Sequence, residues 1–506
     1  MAVDLPPPLV PQPASVEFIE ARSTDAPQSL SFETYRIQLI GNRALSQAEL
    51  ERIVTRADTL SDVVRGLGQT YYLDGYPATQ LIYALSGSDL YVLVLPGRVT
   101  AISGPDSLLP YFEPARQQPQ LTAASLEPGR VLAGVHSDRM GLKVSSTLVP
   151  ELEPGRYRLA LQAESARTHP LALRFEIGNP GNRFSGRHFA EGEVAWSGGG
   201  SELKALWRER IAGARGSAYH DRAVLGSQVT PWGLFGLDVR DVEYVQTSAG
   251  QRFDGAVDHW GFSWSAVPYA DFSRRWLVSL RADHIDDEIR DSANGARLLK
   301  QRYDSLEVGF TRSEVWNAGW GGVELQLGLA ARGGVGNSNR VMPRDSEVSL
   351  DYQLLRPSLR VRLDPAGDSR WRLGFDASAH LSDDVLPQQQ QLVLGGSDNL
   401  AAWLPGVALG DRGGYLRMQA ESRYGSDRLR LSPRVFVEFG NARLEQAQPG
   451  QPSGTQTLAD IGVEVLLQAD RWLETALIAA LPLHEDGSAD AGLARADFYY
   501  RVSIRF

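Results

Sequence analysis

Asp283-His284 followed by Asp286-Asp287-Glu288 is the densest set of metal-type side chains in the chain. Four carboxylates and an imidazole that close together are the chemistry of a divalent-cation site. The plainer reading, and the preferred one, is a strand end running into a solvated acidic loop. His484-Glu485-Asp486 reads the same way. Ser197-Gly-Gly-Gly-Ser201 has the glycines of a phosphate cradle, but no lysine and no helix follow it, so it reads as a hairpin turn. The eight histidines form no HExxH pair, and no nucleophile elbow or Walker loop occurs. The absence of cysteine removes thiolate nucleophiles, thiolate metal sites and disulfides. No catalytic constellation, metal site or cofactor is indicated, and an enzyme reading has no supporting residues.

The chemistry that remains is charge laid out with a period of two. Val323, Leu325, Leu327 and Leu329 alternate with Glu324 and Gln326; Leu359, Val361 and Leu363 alternate with Arg360 and Arg362; Trp371, Leu373, Phe375 and Ala377 alternate with Arg372 and Asp376. Successive strand side chains point to opposite faces, so each segment has one apolar and one charged face. Repeated over several strands, this predicts a wet interior lined by Glu324, Arg360, Arg362, Arg372 and Asp376, with an apolar exterior. A soluble sandwich presses such apolar faces together, whereas a membrane barrel turns them to lipid; the pattern is compatible with both. The last nine residues favour the second. Phe498, Tyr500, Val502, Ile504 and Phe506 share one face, and Tyr499, Arg501, Ser503 and Arg505 the other. A closing strand with a terminal aromatic resembles the sorting signal of bacterial outer-membrane barrels. Its plain alternative is an amphipathic edge strand of a soluble sheet.

Composition sets the outer bounds. Hydrophobic residues make up 42% of the 506, mean hydropathy is -0.25, and no apolar run approaches the ~18–20 residues of a spanning helix. Fifty glycines and a full set of aromatics (Trp 11, Tyr 17, Phe 16) suit many strands, tight turns and interfacial girdles. A net charge of -10 and a pI near 5.4 argue against nucleic acid as a partner. The opening Met1-Ala-Val-Asp-Leu5 carries no export signal, so the chain is expected to be a mature, exported form.

Organisation follows from punctuation. Residues 1–31 hold Pro6, Pro7, Pro8, Pro11, Pro13 and Pro27 and read as extended or disordered, with a short helix over 15–22 that is also a candidate pore plug. Residues 32–97 read β-α-α-β-β, with a capping box at Ser46-Gln-Ala-Glu49 and a second helix over 61–73. Residues 98–165 repeat the order, with a helix over 122–135 interrupted near Pro128-Gly129. From about residue 166 to Phe506 only strands are expected. At about 20 residues per strand and turn they number about 16, an even count as in bacterial barrels.

Two β-α-α-β-β units before a barrel ending in phenylalanine resemble the Omp85 superfamily, and within it the TpsB-type transporters of two-partner secretion. The segments carrying the resemblance are Ile37-Gln-Leu-Ile-Gly-Asn42, Tyr72-Leu-Asp-Gly-Tyr-Pro77, Val94-Leu-Pro-Gly-Arg-Val99, Glu176-Ile-Gly-Asn-Pro-Gly-Asn182, and Leu386-Pro-Gln-Gln-Gln-Gln-Leu-Val-Leu-Gly-Gly396 with Gly410-Asp411-Arg412-Gly-Gly414. The resemblance implies a mostly β protein: two small α+β POTRA domains in the periplasm (32–97 and 98–165), then a 16-stranded outer-membrane barrel (166–506). It also implies an inward-folded loop, L6, over about 395–414. The implied partners are a secreted exoprotein (an adhesin, haemolysin or toxin), outer-membrane lipid and lipopolysaccharide, and the barrel assembly machinery during biogenesis. An assembly factor for other barrels is the alternative function.

The chain departs from the family at the loop tip. Where the family carries Val-Arg-Gly-aromatic after Gly395-Gly396, this chain has Leu400, Ala401, Ala402 and Trp403. The inward acid that the family arginine faces corresponds to Glu438, two residues before Gly440. An unpaired carboxylate in a dry lumen is costly. The expectation is therefore a lumen wet enough to leave Glu438 unpaired, with Arg412 as the alternative partner and a differently held loop as the third option.

Overall fold

The computed structural model describes residues 4–23, 25–166, 169–182, 186–212, 218–248, 251–341, 348–367, 370–426, 428–446, 454–470, 472–487 and 494–506. The first sheet is built from β1 (Gln12–Pro13), β2 (Gln28–Phe32), β3 (Tyr35–Ile40), β4 (Gln80–Ser86) and β5 (Asp89–Leu95), in the order β1-β4-β5-β3-β2. Helix α1 (Val16–Glu20) precedes β2; α2 (Gln47–Arg56) and α3 (Leu60–Leu73) lie between β3 and β4. The capping box is present: Glu49 N–H donates to Ser46 Oγ and Ser46 N–H to Glu49 Oε2 (2.8 Å), which satisfies donors that the helix cannot. Leu50, Val63, Leu67 and Tyr71 form one core with Ile37, Leu39, Leu81 and Val92 of the sheet.

The second unit comprises β6 (Arg98–Ser103), a 3-10 turn (Leu109–Phe112), α4 (Glu113–Arg116), α5 (Ala123–Arg139), β7 (Leu142–Pro150) and β8 (Arg156–Ser165), with sheet order β6-β8-β7. Helix α5 is not interrupted at Pro128-Gly129. A Cβ at Gly129 would lie 2.0 Å from the Tyr111 carbonyl oxygen, so this glycine lets the 3-10 turn pack directly on the helix backbone.

The proline-rich start is ordered rather than disordered over its described residues. Strand β1 runs parallel along the free edge of β4, and Asp4 forms a parallel bridge with Ser145 at the edge of β7. Helix α1, the candidate plug, lies on the first sheet. Its Ile19 is fully buried against Ile40, Ile82 and Leu93 of the first sheet.

The barrel begins with β9 (Leu171–Gly178), β10 (His188–Gly198), β11 (Ser201–Ala212), β12 (Ala218–Thr230) and β13 (Gly233–Ser248). It continues through β14 (Gln251–Ala270), β15 (Arg274–Asp291), β16 (Arg297–Ala318), β17 (Gly321–Val341), β18 (Gln353–Pro365) and β19 (Trp371–His380). After a loop carrying β20 (Leu392–Leu394) and β21 (Ala408–Gly410) come β22 (Arg412–Ser422), extended by β23 (Tyr424–Gly425), then β24 (Leu429–Arg443), β25 (Thr455–Ala469), β26 (Leu473–Asp486) and β27 (Tyr499–Arg505). Counting β22 and β23 as one broken strand, the closed barrel has the expected 16. Gly199 and Gly200 make the β10–β11 turn, both with positive φ.

Trp207, Leu237, Trp260, Leu327, Leu329, Trp371, Leu373 and Met418 are exposed on the outer wall, as a lipid-facing surface requires. Strands β14, β16 and β17 are 20, 22 and 21 residues long, about twice the 9–11 that cross a bilayer. Toward the β13–β14 and β15–β16 loop ends the polarity reverses. Val257, Ile285, Tyr303, Tyr352 and Leu386 form an inward apolar cluster, while Asp258, Asp286 and Arg302 stand in register on the outer face.

The acidic run is not a solvated loop. It lies within β15, with Asp283 and Asp287 buried on the lumen side, Asp286 paired with Lys300 and Arg302, and Glu288 with Arg290, Arg297 and Lys300. Among the described residues no group of three or more His, Asp or Glu side chains is arranged to hold a metal ion.

Candidate functional site

The loop between β19 and β22 folds back into the barrel. Its neck is clasped by Asp411, which is fully buried: one carboxylate oxygen accepts from Leu386 N–H (2.9 Å) and Gln391 Nε2 (3.3 Å), the other from Glu445 N–H (2.9 Å). Antiparallel pairing of β20 with β21 then carries the hairpin inward. At its tip Gly395 and Gly396 have φ of 95° and 117°, and a Cβ on Gly395 would sit 2.2 Å from the Leu404 carbonyl oxygen. Only glycine fits that approach. Leu400 also adopts a positive φ (50°), which aims the next two N–H groups at the wall.

Those two groups hold the tip. Ala401 N–H donates to Glu438 Oε2 (2.9 Å) and Ala402 N–H to Asp460 Oδ2 (2.7 Å). Successive backbone N–H groups form a small anion-binding concavity of a kind that needs no side chain. Leu400, Ala401, Ala402 and Trp403 are all buried, packed with Phe436, Leu458 and Tyr499. Gly440 makes room for this: a Cβ there would lie 2.8 Å from Leu400 Cδ1. Trp403 C=O accepts from Tyr499 Oη (2.6 Å), and the tip pairs with the segment before β27 through Leu404 N–H to Ala494 O (2.6 Å) and Ala496 N–H to Ala402 O (2.9 Å).

Glu438 is therefore neither wet nor held by Arg412. It is fully buried, and its second oxygen accepts from Tyr415 Oη (2.6 Å) and faces Arg417 Nη1 (3.4 Å). Arg412 instead pairs with Asp383 and lies near Glu445 at the loop neck. Arg417 stacks over Phe436 (4.2 Å) and also reaches Glu464 (3.3 Å), which Arg434 shares (2.7 Å). The loop is held differently: the cation stands on the barrel wall, and the loop contributes main-chain donors. Tyr415, Arg417 and Asp460 were not singled out from sequence. Asp460 and Arg417 are the register partners of Glu438 on the two flanking strands, a relation visible only once the pairing is known.

The remaining lumen residues divide by neighbour. Arg360 and Arg362 both bind Asp376 (2.9 and 2.8 Å), Arg372 pairs with Asp364, and Glu324 is exposed in register with Arg362. With Arg417, Arg423 and Arg434 these arginines line a polar recess of about 530 Å³. On the closing strand, Phe498 and Phe506 are exposed and Tyr500, Val502 and Ile504 are half-buried. The seam between β27 and β9 pairs Arg501–Arg505 with Gly178–Arg174. Asn179 extends it by donating to Phe498 O (3.0 Å) and accepting from Tyr500 N–H (2.7 Å).

Residues 158–465, more than half of the chain, match the family described as haemolysin secretion/activation protein ShlB/FhaC/HecB. No curated protein matches the chain. Among solved structures, CdiB from Escherichia coli superposes with a TM-score of 0.72 at 16% identity, covering 96% of this chain and 92% of that one. CdiB from Acinetobacter baumannii gives a TM-score of 0.65 at 13% identity, over 100% and 94%. At these identities the likeness concerns the fold.

Proposed function

The chain belongs to the ShlB/FhaC/HecB family, TpsB-type outer-membrane transporters of the Omp85 superfamily, and on that premise we propose that it exports a dedicated partner protein. The two POTRA domains would stand in the periplasm and capture the unfolded passenger by strand addition. The barrel would pass it to the cell surface once L6 yields.

The observation that carries this reading is the course of residues 4–13. An extended stretch of the chain already lies along the β4 edge and touches the β7 edge, bonded through its main chain: Asp4 N–H donates to Val144 O (3.0 Å), Ala14 N–H to Tyr83 O (2.9 Å), and Ser146 Oγ to Asp4 O (2.6 Å). Recognition through main-chain hydrogen bonds tolerates varied side chains, as an exported polypeptide requires. A groove of about 450 Å³ beside β4, lined by Leu60, Val64, Gly68, Tyr83, Leu85 and Leu90, offers apolar purchase next to that edge.

Deletion of the gene in the native host, followed by mass spectrometry of secreted and surface proteins, tests the reading. Loss of one large exoprotein, restored by complementation, is the expected result. Unchanged export with a broad fall in other barrels would replace it with an assembly function.

A further inference from the structure

L6 leaves the wall at β19 and returns at β22; besides its contacts with β22 itself (Arg412 with Asp383, and Tyr415 Oη donating to Asp398 O, 3.3 Å), it bonds to strands on either side. Its tip reaches β24 and β25, as described above. Its stem, a 3-10 turn over Gln388–Gln390, reaches β15, β16 and β17 on the other side. Gln389 Nε2 donates to Asp287 Oδ2 (3.1 Å). Gln390 Nε2 donates to Tyr303 Oη (3.2 Å), and Gln390 Oε1 accepts from Arg332 Nη1 (2.8 Å). Arg332 is fixed in turn by Asp283 and by Glu307 (3.2 Å), and Asp283 by His259 and Arg281 (both 2.8 Å).

We propose that Gln389 and Gln390 are positioning residues of a second latch, which holds the stem of L6 to the β15–β17 wall, so that the lumen clears only when stem and tip have both let go. The inference rests on the transport reading of L6 as the moving element. Asp287 is fully buried, its other oxygen has no partner among the described residues, and Gln389 supplies its side-chain donor. Withdrawing that donor would strand a carboxylate, which makes the bond expensive to break. Gln390 is buried and bonded at both ends of its amide, so a neutral side chain with one donor and one acceptor is what the site accepts. The two latches use different chemistry: side-chain amides at the stem, main-chain N–H groups at the tip.

The test uses the purified full-length protein in planar lipid bilayers, where pore openings are read without any passenger. Gln389→Glu sets a carboxylate against Asp287, and the open fraction should rise about tenfold, in line with one lost hydrogen bond to a charged group. Combining it with Asp287→Asn restores the bond with donor and acceptor exchanged, and should return the open fraction to the wild-type level. The chain has no cysteine, so the pair Gln389→Cys with Asp287→Cys gives an unambiguous cross-link. Oxidised, it should hold the pore closed; reduced, it should open freely. Heat-modifiable electrophoretic migration confirms that each variant is a folded barrel. An unchanged open fraction in Gln389→Glu, a failure of the exchange to rescue, or openings that persist in the oxidised pair would each overturn the stem latch. Failure of the export reading is distinguishable, because it would leave the exoprotein profile unchanged on gene deletion whatever the bilayer shows.

Discussion

Ala401 and Ala402 grip two carboxylates with main-chain N–H groups, which moves the burden of charge onto Arg417. That arginine is buried between Glu438 and Glu464. Removing one partner of a buried ion pair commonly costs about 3–5 kcal/mol, because the other charge stays buried. Arg417→Gln should therefore release the tip. The open fraction in bilayers should rise and the 395–407 segment should become sensitive to limited proteolysis; a loop that stays resistant would show that packing alone holds it. Ala402→Pro makes the complementary change by deleting the donor to Asp460, and should lower the thermal stability of the closed form by about 1–3 kcal/mol. A melting temperature equal to wild type would mean that Asp460 finds another donor. None of this was legible in the sequence. An alanine announces nothing about the direction of its N–H, and Arg417 is one lumen arginine among many until the register pairs it with Glu438. What the sequence does display at this scale is Gly395-Gly396, because a positive φ leaves few alternatives to glycine.

At the scale of elements, alternation was readable where a barrel strand keeps one environment per face, as it does along the lipid-facing stretch of β19. Trp371, Leu373 and Phe375 against Arg372 and Asp376 mark both a strand and its orientation. Breakers were less reliable: Pro128 sits inside α5 because tertiary contact through Gly129 outweighs its local preference. How α5 meets the barrel had no local signal at all. Tyr111 Oη donates to Val229 O (3.2 Å) and lies 2.8 Å from His136 Nδ1; Arg139 donates to Gly200 O (2.8 Å) and Ser227 Oγ (2.7 Å) at the barrel turns. The direction of the Tyr111–His136 bond depends on the ring tautomer, and the buried Nε2 of His136 has no partner among the described residues. Burial, and then the Arg139 guanidinium, hold the His136 pKa below its ordinary 6.5. Glu202, 3.6 Å from Arg139 and itself paired with Lys204 (3.3 Å), also faces this contact. The docked imidazole is neutral, so docking is at full strength above about pH 6.5 and weakens as the pH falls through that value. Spin labels on Gln118→Cys and Gly319→Cys should report a distance distribution that broadens between about pH 7.5 and about pH 5. His136→Gln, which keeps a hydrogen-bonding group for Tyr111, should abolish the change. Identical wild-type distributions at the two pH values would rule out a proton-sensitive dock.

For the whole molecule, length and alternation were enough to count the strands, but not to say what ties the parts together, since those ties join residues far apart in sequence. The principal tie is the segment the prolines marked as extended or disordered. Its prolines remove donors, which suits an edge strand whose outer side needs none, and the sheets supply the partner edges that local sequence lacks. From Asp4 on β7 the segment passes Tyr72, whose hydroxyl donates to Pro6 O (2.9 Å) and whose ring stacks on Phe272 of the β14–β15 turn (5.3 Å), and ends on β4 at Gln12 and Pro13. Leu5 and Leu9 pack on the core of the second domain. One stretch thus fastens both N-terminal domains near the barrel while covering the two edges proposed to take the passenger. Removing residues 4–13 should have two opposite effects. Hydrogen exchange of the β4 and β7 edge amides should speed up by at least about tenfold, since local opening no longer has to displace a paired strand. Binding of an extended passenger peptide to the same edges should tighten, because it no longer competes with a tethered strand. Faster exchange with unchanged affinity would make the segment a fastener alone, and the passenger would then have to be captured elsewhere.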